Sequence, residues 1–167
     1  MILSRDAIKK ELKSGRVVIN PFHEDQIGPA SIDLTLDDEF RVFLGNQSIR
    51  ITDDADFTKV TRVVKQKSYK LKPGESILGI TRETIKLPSD MCGWLQGRSR
   101  FARLGLSVHI TASFIQPGIH NRQVFEITNV GPVTLELVAG ERIGQLVLER
   151  VEGKASYKGK FEHQVRV

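Results

Sequence analysis

The residue pattern predicts a mainly β protein that opens with one short helix. Three observations carry this. Short segments rich in β-branched residues, among them "SIDLTL" (31–36), "FRVFL" (40–44) and "QVFEITNV" (123–130), are bounded by turn residues and often alternate apolar with polar positions, as half-buried strands do. Pro73-Gly74 and Pro117-Gly118 have the order of a turn with proline at its second position and glycine supplying positive φ. Helical spacing is convincing in only one stretch, at the start.

In that stretch Ile8 and Leu12 stack on one face. Ser4 is placed to cap the first turn through its hydroxyl, Leu3 and Ile8 are spaced as a hydrophobic staple, and Gly15 is the expected stop. Further strands are expected in "RVVINPF" (16–22), "YKLKPGESILGIT" (69–81) and "VTLELVAGERIGQLVLERV" (133–151), and in "SVHITASFI" (107–115), read as running on to the turn at Pro117. Charge-rich "DDADFTKVTRVVKQKSYK" (53–70) is the longest excursion, with a strand at its valines. No solenoid-period repeat interrupts the chain, and 167 residues fit a single domain, 1–167, able to bury a core without staples. The last stretch, "EGKASYKGKFEHQVRV" (152–167), is polar and basic, with Tyr157 and Phe161 as its bulky anchors. Left alone it should be mobile. It reads either as a frayed end or, over 153–167, as a lid that orders on an anionic ligand.

Composition narrows the partners. Apolar residues at 40% and charged residues at 27% are those of an ordinary globular protein. No apolar run approaches the roughly 20 residues of a membrane helix, and acids and bases interrupt "MILSRDAIKKELKSG", so neither a membrane span nor a signal peptide is expected and the protein reads as cytoplasmic. Cys92 is the sole cysteine, which rules out an intrachain disulfide and argues against structural zinc. The net charge of +5 favours anionic partners. Nucleic acid is not expected among them, since aromatics are 7% and form no alternating platform for bases.

Three constellations carry chemistry. In "GWLQGRSRFARLGL" (93–106), Gly97 precedes Arg98, Ser99, Arg100 and Arg103. Helical spacing puts Ser99 and Arg103 on one face and Arg100 near Arg103. Such a segment is either a solvated surface helix packed by Phe101 and Leu104, or a phosphate cradle in which an anion relieves the repulsion of crowded guanidinium groups. His109, a lone strand histidine, is a structural residue or a site residue. In "QVFEITN", alternation sets Val124, Glu126 and Thr128 against Phe125 and Ile127. Glu126 then faces either solvent or a closed pocket, where burial would raise its pKa and make it a proton shuttle near neutrality. The zinc-deaminase pattern, H-x-E followed by P-C-x-x-C, is absent. Chemistry on a base would have to activate water without zinc.

"PASIDLTL" (29–36), "GRSRFARLGLSVHITA" (97–112), "IQPG" with "VFEITN" (115–129) and "GERIGQL" (140–146), followed by "Y…KFEHQ", occur in the order seen in dCTP deaminases. The chain resembles that family, a relative of the trimeric dUTPases, over nearly its whole length. The resemblance implies a distorted β-barrel or jelly roll of the dUTPase-like type with a short N-terminal helix and a short central helix. It also implies a homotrimer with active sites at subunit interfaces, and the reaction of dCTP with water to give dUTP and ammonia, which supplies dUMP and dTTP synthesis.

By the same resemblance, Glu126 is the general base and then acid, Ser99 and the carbonyl of Ala112 hold the water, and Arg103 stabilises developing charge. Arg98, Ser99, Arg100, Phe101, Ala102 and Arg103 match the triphosphate-binding element, and Gln116, Val124 and Phe125 match the sugar and base pocket. Tyr157, Lys160 and Gln164 match the closing tail, while His109 and Thr111 match positions tied to the inactive state and feedback inhibition by dTTP. No residue is assigned to a metal; Mg2+ would travel with the triphosphate. The chain departs from the family at Arg100 (a second serine), Gln116 (aspartate) and Asn121 (a turn glycine), and its tail is short. Glutamine cannot take a proton, which argues against a dUTP diphosphatase or a bifunctional enzyme releasing dUMP. Those two activities, and a nucleotide-binding homologue without catalysis, are the alternatives.

Overall fold

The computed structural model describes residues 1–167. Helix α1 (Arg5–Lys13) leads into β1 (Val18–Asn20) and the long strand β2 (Ile32–Phe43). There follow β3 (Thr61–Lys65), β4 (Ser68–Leu71), β5 (Ser76–Lys86) and β6 (Met91–Gly97). The one-turn helix α2 (Ser99–Ala102) precedes β7 (Leu106–Val108), β8 (Phe114–Ile115), β9 (His120–Asn129), β10 (Leu135–Val138) and β11 (Arg142–Arg150). The main sheet runs β7-β9-β5-β2-β11-β6-β8, with β1 on β5 and β3 on β2, and β10 pairs with β4 in a second, two-stranded sheet. Mainly β with two short helices, the fold class matches the expectation.

The sheet curls into a half-barrel because β2 changes partners along its length. Its first residues pair with β11, Ile32 opposite Leu146, whereas Phe40 to Val42 pair with β5, and Glu39 to Phe43 also with β3. Registers shift at these hand-overs, and such irregularities bend a strand and increase its twist. The concave side holds one apolar cluster with Ile32, Leu34, Leu36, Phe40, Phe125 and Ile127 at its centre, all fully buried.

Local expectations met mixed fates. Gly15, Gly74 and Gly118 adopt positive φ where a helix stop and two turns were read, and a strand forms at Val63 and Val64. Leu3 and Ile8 are both buried. The Ser4 hydroxyl, by contrast, makes no cap; the residue's carbonyl accepts the Ile8 amide at 2.8 Å, and the chain enters the helix tied by Leu3 to the Leu148 carbonyl at 2.9 Å. Asn121 is no turn residue either. It lies in β9, buried, and its amide nitrogen donates to the Phe161 carbonyl at 2.7 Å.

Gly144 shows how tightly β9 is fitted. A Cβ at this position would lie 2.6 Å and 2.9 Å from two ring carbons of Phe125, whose side chain is fully buried. Burying such a ring stabilises the fold by roughly 2–3 kcal/mol, and glycine leaves the room for it. Gly144→Ala is therefore expected to destabilise the protein by about 1–3 kcal/mol, the usual range for overpacking; urea unfolding of the two proteins checks this.

Candidate active site

Because β9 buries Phe125 and Ile127, the two-residue repeat of a strand turns Val124 and Glu126 to the opposite face. There they meet a cleft of about 400 Å3. Its walls include Ala112, Phe114, Gln116 and Ile119 from the chain before β9, Leu78 from β5, and Tyr157, Phe161, Gln164 and Val167 from the tail. Glu126 meets neither of the two readings in full: it is half-buried on the wall of an open cleft.

The carboxylate is not idle in this state. The amides of Thr111 and Ile110 donate to its Oε2 at 2.7 Å and 3.2 Å, and the Thr111 hydroxyl lies 3.0 Å and 3.1 Å from its two oxygens. Burial pushes the Glu126 pKa up, but the Thr111 amide and hydroxyl, the field of His109 and the Ile110 amide together outweigh it and hold the group below its ordinary range. The expected elevation by burial is thus reversed, because the pocket supplies donors as well as dryness.

The same contacts explain why the strand read over 107–115 breaks. After β7, the His109 amide still bonds the Glu126 carbonyl at 2.9 Å, but His109 then takes φ of 78°. The chain leaves the ladder, and the next two amides turn onto the carboxylate. Both ring nitrogens of His109 are buried without a hydrogen-bond partner. Its ring lines the cleft, whereas Thr111 lies at the rim as the clasp on Glu126.

The tail is ordered against the body of the chain, not loose. The Tyr157 amide bonds the Pro117 carbonyl at 2.9 Å, and Gln164 makes a reciprocal pair with the Arg122 backbone at 2.9 Å and 3.0 Å. Tyr157 and Gln164 thereby reach the cleft. Lys160 stays exposed outside it, its ammonium 5.9 Å from the Phe161 ring centre.

The arginine segment is split. Helix α2 exposes Ser99, Arg100, Ala102 and Arg103, while Phe101 is half-buried on the core. The Arg103 amide bonds the Ser99 carbonyl at 3.2 Å, so these two share a helical turn as expected. None of the α2 residues lines the cleft that holds Glu126. Arg98 does not join the exposed arginines: it pairs with Asp33 at 2.8 Å and donates to the Arg142 carbonyl at 2.5 Å. Here it braces β2 against β11. Burial raises the Asp33 pKa, first among its causes, against the opposing fields of Arg98, Arg142 and Arg100. The Phe125 side chain goes to the core, in keeping with a resemblance that gives only the backbone of this segment to the base.

Several cleft residues escaped the sequence reading. Phe57, Asn121 and Gln123 line it. Asn121 and Gln123 have the opposite parity to Val124 and Glu126, and the β5–β9 register shifts between the pairs Ile80–Val124 and Thr84–Arg122. The Thr81 hydroxyl accepts the Gln123 amide at 3.0 Å in that gap. No sequence signal marks such a bulge. The chain has no cluster of three or more His, Cys, Asp or Glu side chains placed to hold a metal ion. No helix is long and apolar enough to cross a membrane.

The curled sheet belongs to a class of fold seen in two kinds of solved structure. A dUTPase from phage phi11 of S. aureus shares it with a TM-score of 0.51 at 14% identity, over 86% of this chain and 96% of that one. The 2'-deoxycytidine 5'-triphosphate deaminase from Agrobacterium tumefaciens shares it with a TM-score of 0.71 at 21% identity, covering 90% of this chain and 48% of that one. This chain thus spans about half the length of the Agrobacterium protein. Sequence goes further than fold. The profile of the family described as dCTP deaminase-like matches residues 2–151. A protein of Parafrankia sp. named "dCTP deaminase, dUMP-forming" is 37% identical over 174 residues, 98% of this chain and 87% of that protein. The chain belongs to the dCTP deaminase-like family and is an enzyme, a hydrolytic deaminase.

The depressed Glu126 pKa has a consequence for stability. A carboxylate whose folded-state pKa lies below its ordinary 4.5 contributes stability that is present above that value and lost as pH falls through the folded one. Glu126→Gln should remove this component. Between neutral pH and pH 3, wild type is expected to lose more stability than the variant, as denaturant unfolding at each pH would show.

Proposed function

We propose that the protein deaminates dCTP to dUTP and ammonia, with Glu126 as the proton carrier. The observation that carries this reading is the position of Glu126: on the cleft face of β9, beside Val124 and Ala112, under Tyr157 and Gln164 of the tail. With the nucleotide's cytosine against Val124 and Glu126, the carboxylate would take a proton from water as the oxygen adds to C4. It would then give that proton to N3, take a second from the C4 hydroxyl as the carbonyl forms, and pass it to the amino group, which leaves as ammonia as the C4–N bond breaks. In the clasped state the Thr111 and Ile110 donors make the group a weak base; released from them, burial would raise its pKa toward that of a proton shuttle. The Thr111 contacts compete with the water for it, so turnover requires loop 109–113 to withdraw. In this reading the clasped loop is the inactive state, and dTTP inhibits by binding that state better than the open one. Loop contacts formed by Thr111 and His109 support it.

The nucleotide's phosphates need cations that this cleft alone does not supply. Ser99, Arg100 and Arg103 are exposed on α2, outside it. We infer a homotrimer in which a neighbouring subunit presents α2 to the cleft, Ser99 and the Ala112 carbonyl holding the water and Arg103 opposing charge at the base and phosphates. Mg2+ would arrive on the phosphate oxygens, and no zinc takes part in this scheme. Gln116 lines the cleft where an aspartate would activate water against phosphorus; its amide cannot accept a proton, which supports dUTP as the final product. The second reading is formation of dUMP, favoured by the name of the Parafrankia relative.

Incubation with dCTP and Mg2+ separates the two: ammonia with dUTP and no pyrophosphate is expected, and pyrophosphate release in step with ammonia would replace this reading by the second. Glu126→Gln should abolish ammonia release while dCTP still binds. For the shared site, Glu126→Gln and Arg103→Ala proteins, each nearly inactive, are expected to regain about a quarter of the sites when unfolded and reassembled together, since one site in four then draws both intact residues from two subunits. A mixture no more active than its parents would place both residues in one subunit's site.

A further inference from the structure

The tail is fastened to more than the cleft strand β9 and the turn at Pro117. Beyond Gln164 the chain crosses to β2. There the Val167 amide donates to Oε1 of Glu39 at 3.0 Å, and the Val167 carbonyl accepts both Nε and Nη2 of Arg41, at 3.1 Å and 2.9 Å. Glu39 and Arg41 are two apart on one strand, so they present donor and acceptor from the same face and grip both polar groups of one peptide residue. Arg41 is itself braced. Its Nη1 donates to the Thr61 hydroxyl at 3.1 Å, and its guanidinium carbon lies 5.2 Å from the Phe57 ring centre. Val167 is 5% exposed, and together with Phe57 it forms part of the cleft wall. Lys160 of the tail also adds to the field on Asp56, whose carboxyl is held low first by the Thr58 hydroxyl. Strand β2 and the 56–60 turn thus form one receiving surface for the tail.

We propose that Glu39 and Arg41 are positioning residues, a latch that holds the tail in register so that Tyr157, Phe161 and Gln164 complete the nucleotide cleft. Neither side chain lines the cleft. Their effect reaches a ligand only through the tail, and so falls on capture of the nucleotide more than on chemistry at the base. The inference rests on the reading of the cleft as the dCTP site.

Hydrogen exchange over 157–167 and steady-state kinetics with dCTP test it in the full chain. Arg41→Ala and, as an independent variant, Glu39→Ala are expected to speed exchange of the tail and raise KM about tenfold, equivalent to 1.4 kcal/mol of lost binding, with kcat within about twofold of wild type. Glu39→Gln keeps the acceptor oxygen and should restore wild-type KM and exchange. Unchanged exchange in both alanine variants, faster exchange without a rise in KM, or a loss confined to kcat would each overturn the latch. A wild-type protein that turns over no dCTP would refute the functional reading alone; the exchange comparison would still decide whether Glu39 and Arg41 hold the tail.

Discussion

The packing of Phe125 is the constraint on which the rest of the site depends. Its ring is fully buried against the space left by Gly144, and Ile127 is buried with it, so β9 has one rotational setting about its own axis. A strand shifted by one residue would expose both side chains and push Glu126 into the hydrocarbon core, where an ionised carboxylate without partners is untenable. The pairs Gly79–Phe125 and Leu78–Glu126 lock that register to β5, and β5 is in turn held by β2. Core packing therefore aims the carboxylate. The placement of Glu126 follows from an aromatic ring that is not among the residues lining the cleft.

Glu126 sits at a balance between two opposing influences. Burial alone would favour its neutral form, while two backbone amides and a hydroxyl favour the charged one and prevail. Those donors come from a loop that has abandoned its strand at His109, not from rigid sheet. The His109 ring nitrogens are buried and unpartnered, and the residue holds positive φ, a backbone conformation that costs a non-glycine residue energy. The clasp is thus made of chain outside the regular ladder.

The arginine segment divides its labour by burial. Arg98 is spent within the subunit, where an ion pair with Asp33 and a bond to the Arg142 carbonyl tie β2 to β11. Arg100 and Arg103 face outward on α2. One crowded stretch of like charge is therefore divided between an internal ion pair and the surface.

Period, turn residues and composition determined the mainly β class, the short first helix, the two Pro-Gly turns and the faces of β9, because each depends on interactions within a few residues. The same local logic set Ser99 and Arg103 on one helical turn. Tertiary structure alone decided the rest. Whether Glu126 meets water or a cleft depended on the 109–113 loop and on a tail some 30 residues away in the chain. The direction of its pKa followed from donors that no spacing rule would place there. Arg98 was diverted by an aspartate on β2, the chain at His109 left the strand where its next amides meet the carboxylate, and the tail was tied to Pro117, to β9 and to β2, all remote in sequence. Each of these is a contact between segments far apart along the chain, and distance along the chain carries no record of which polar groups will meet once the apolar faces have closed.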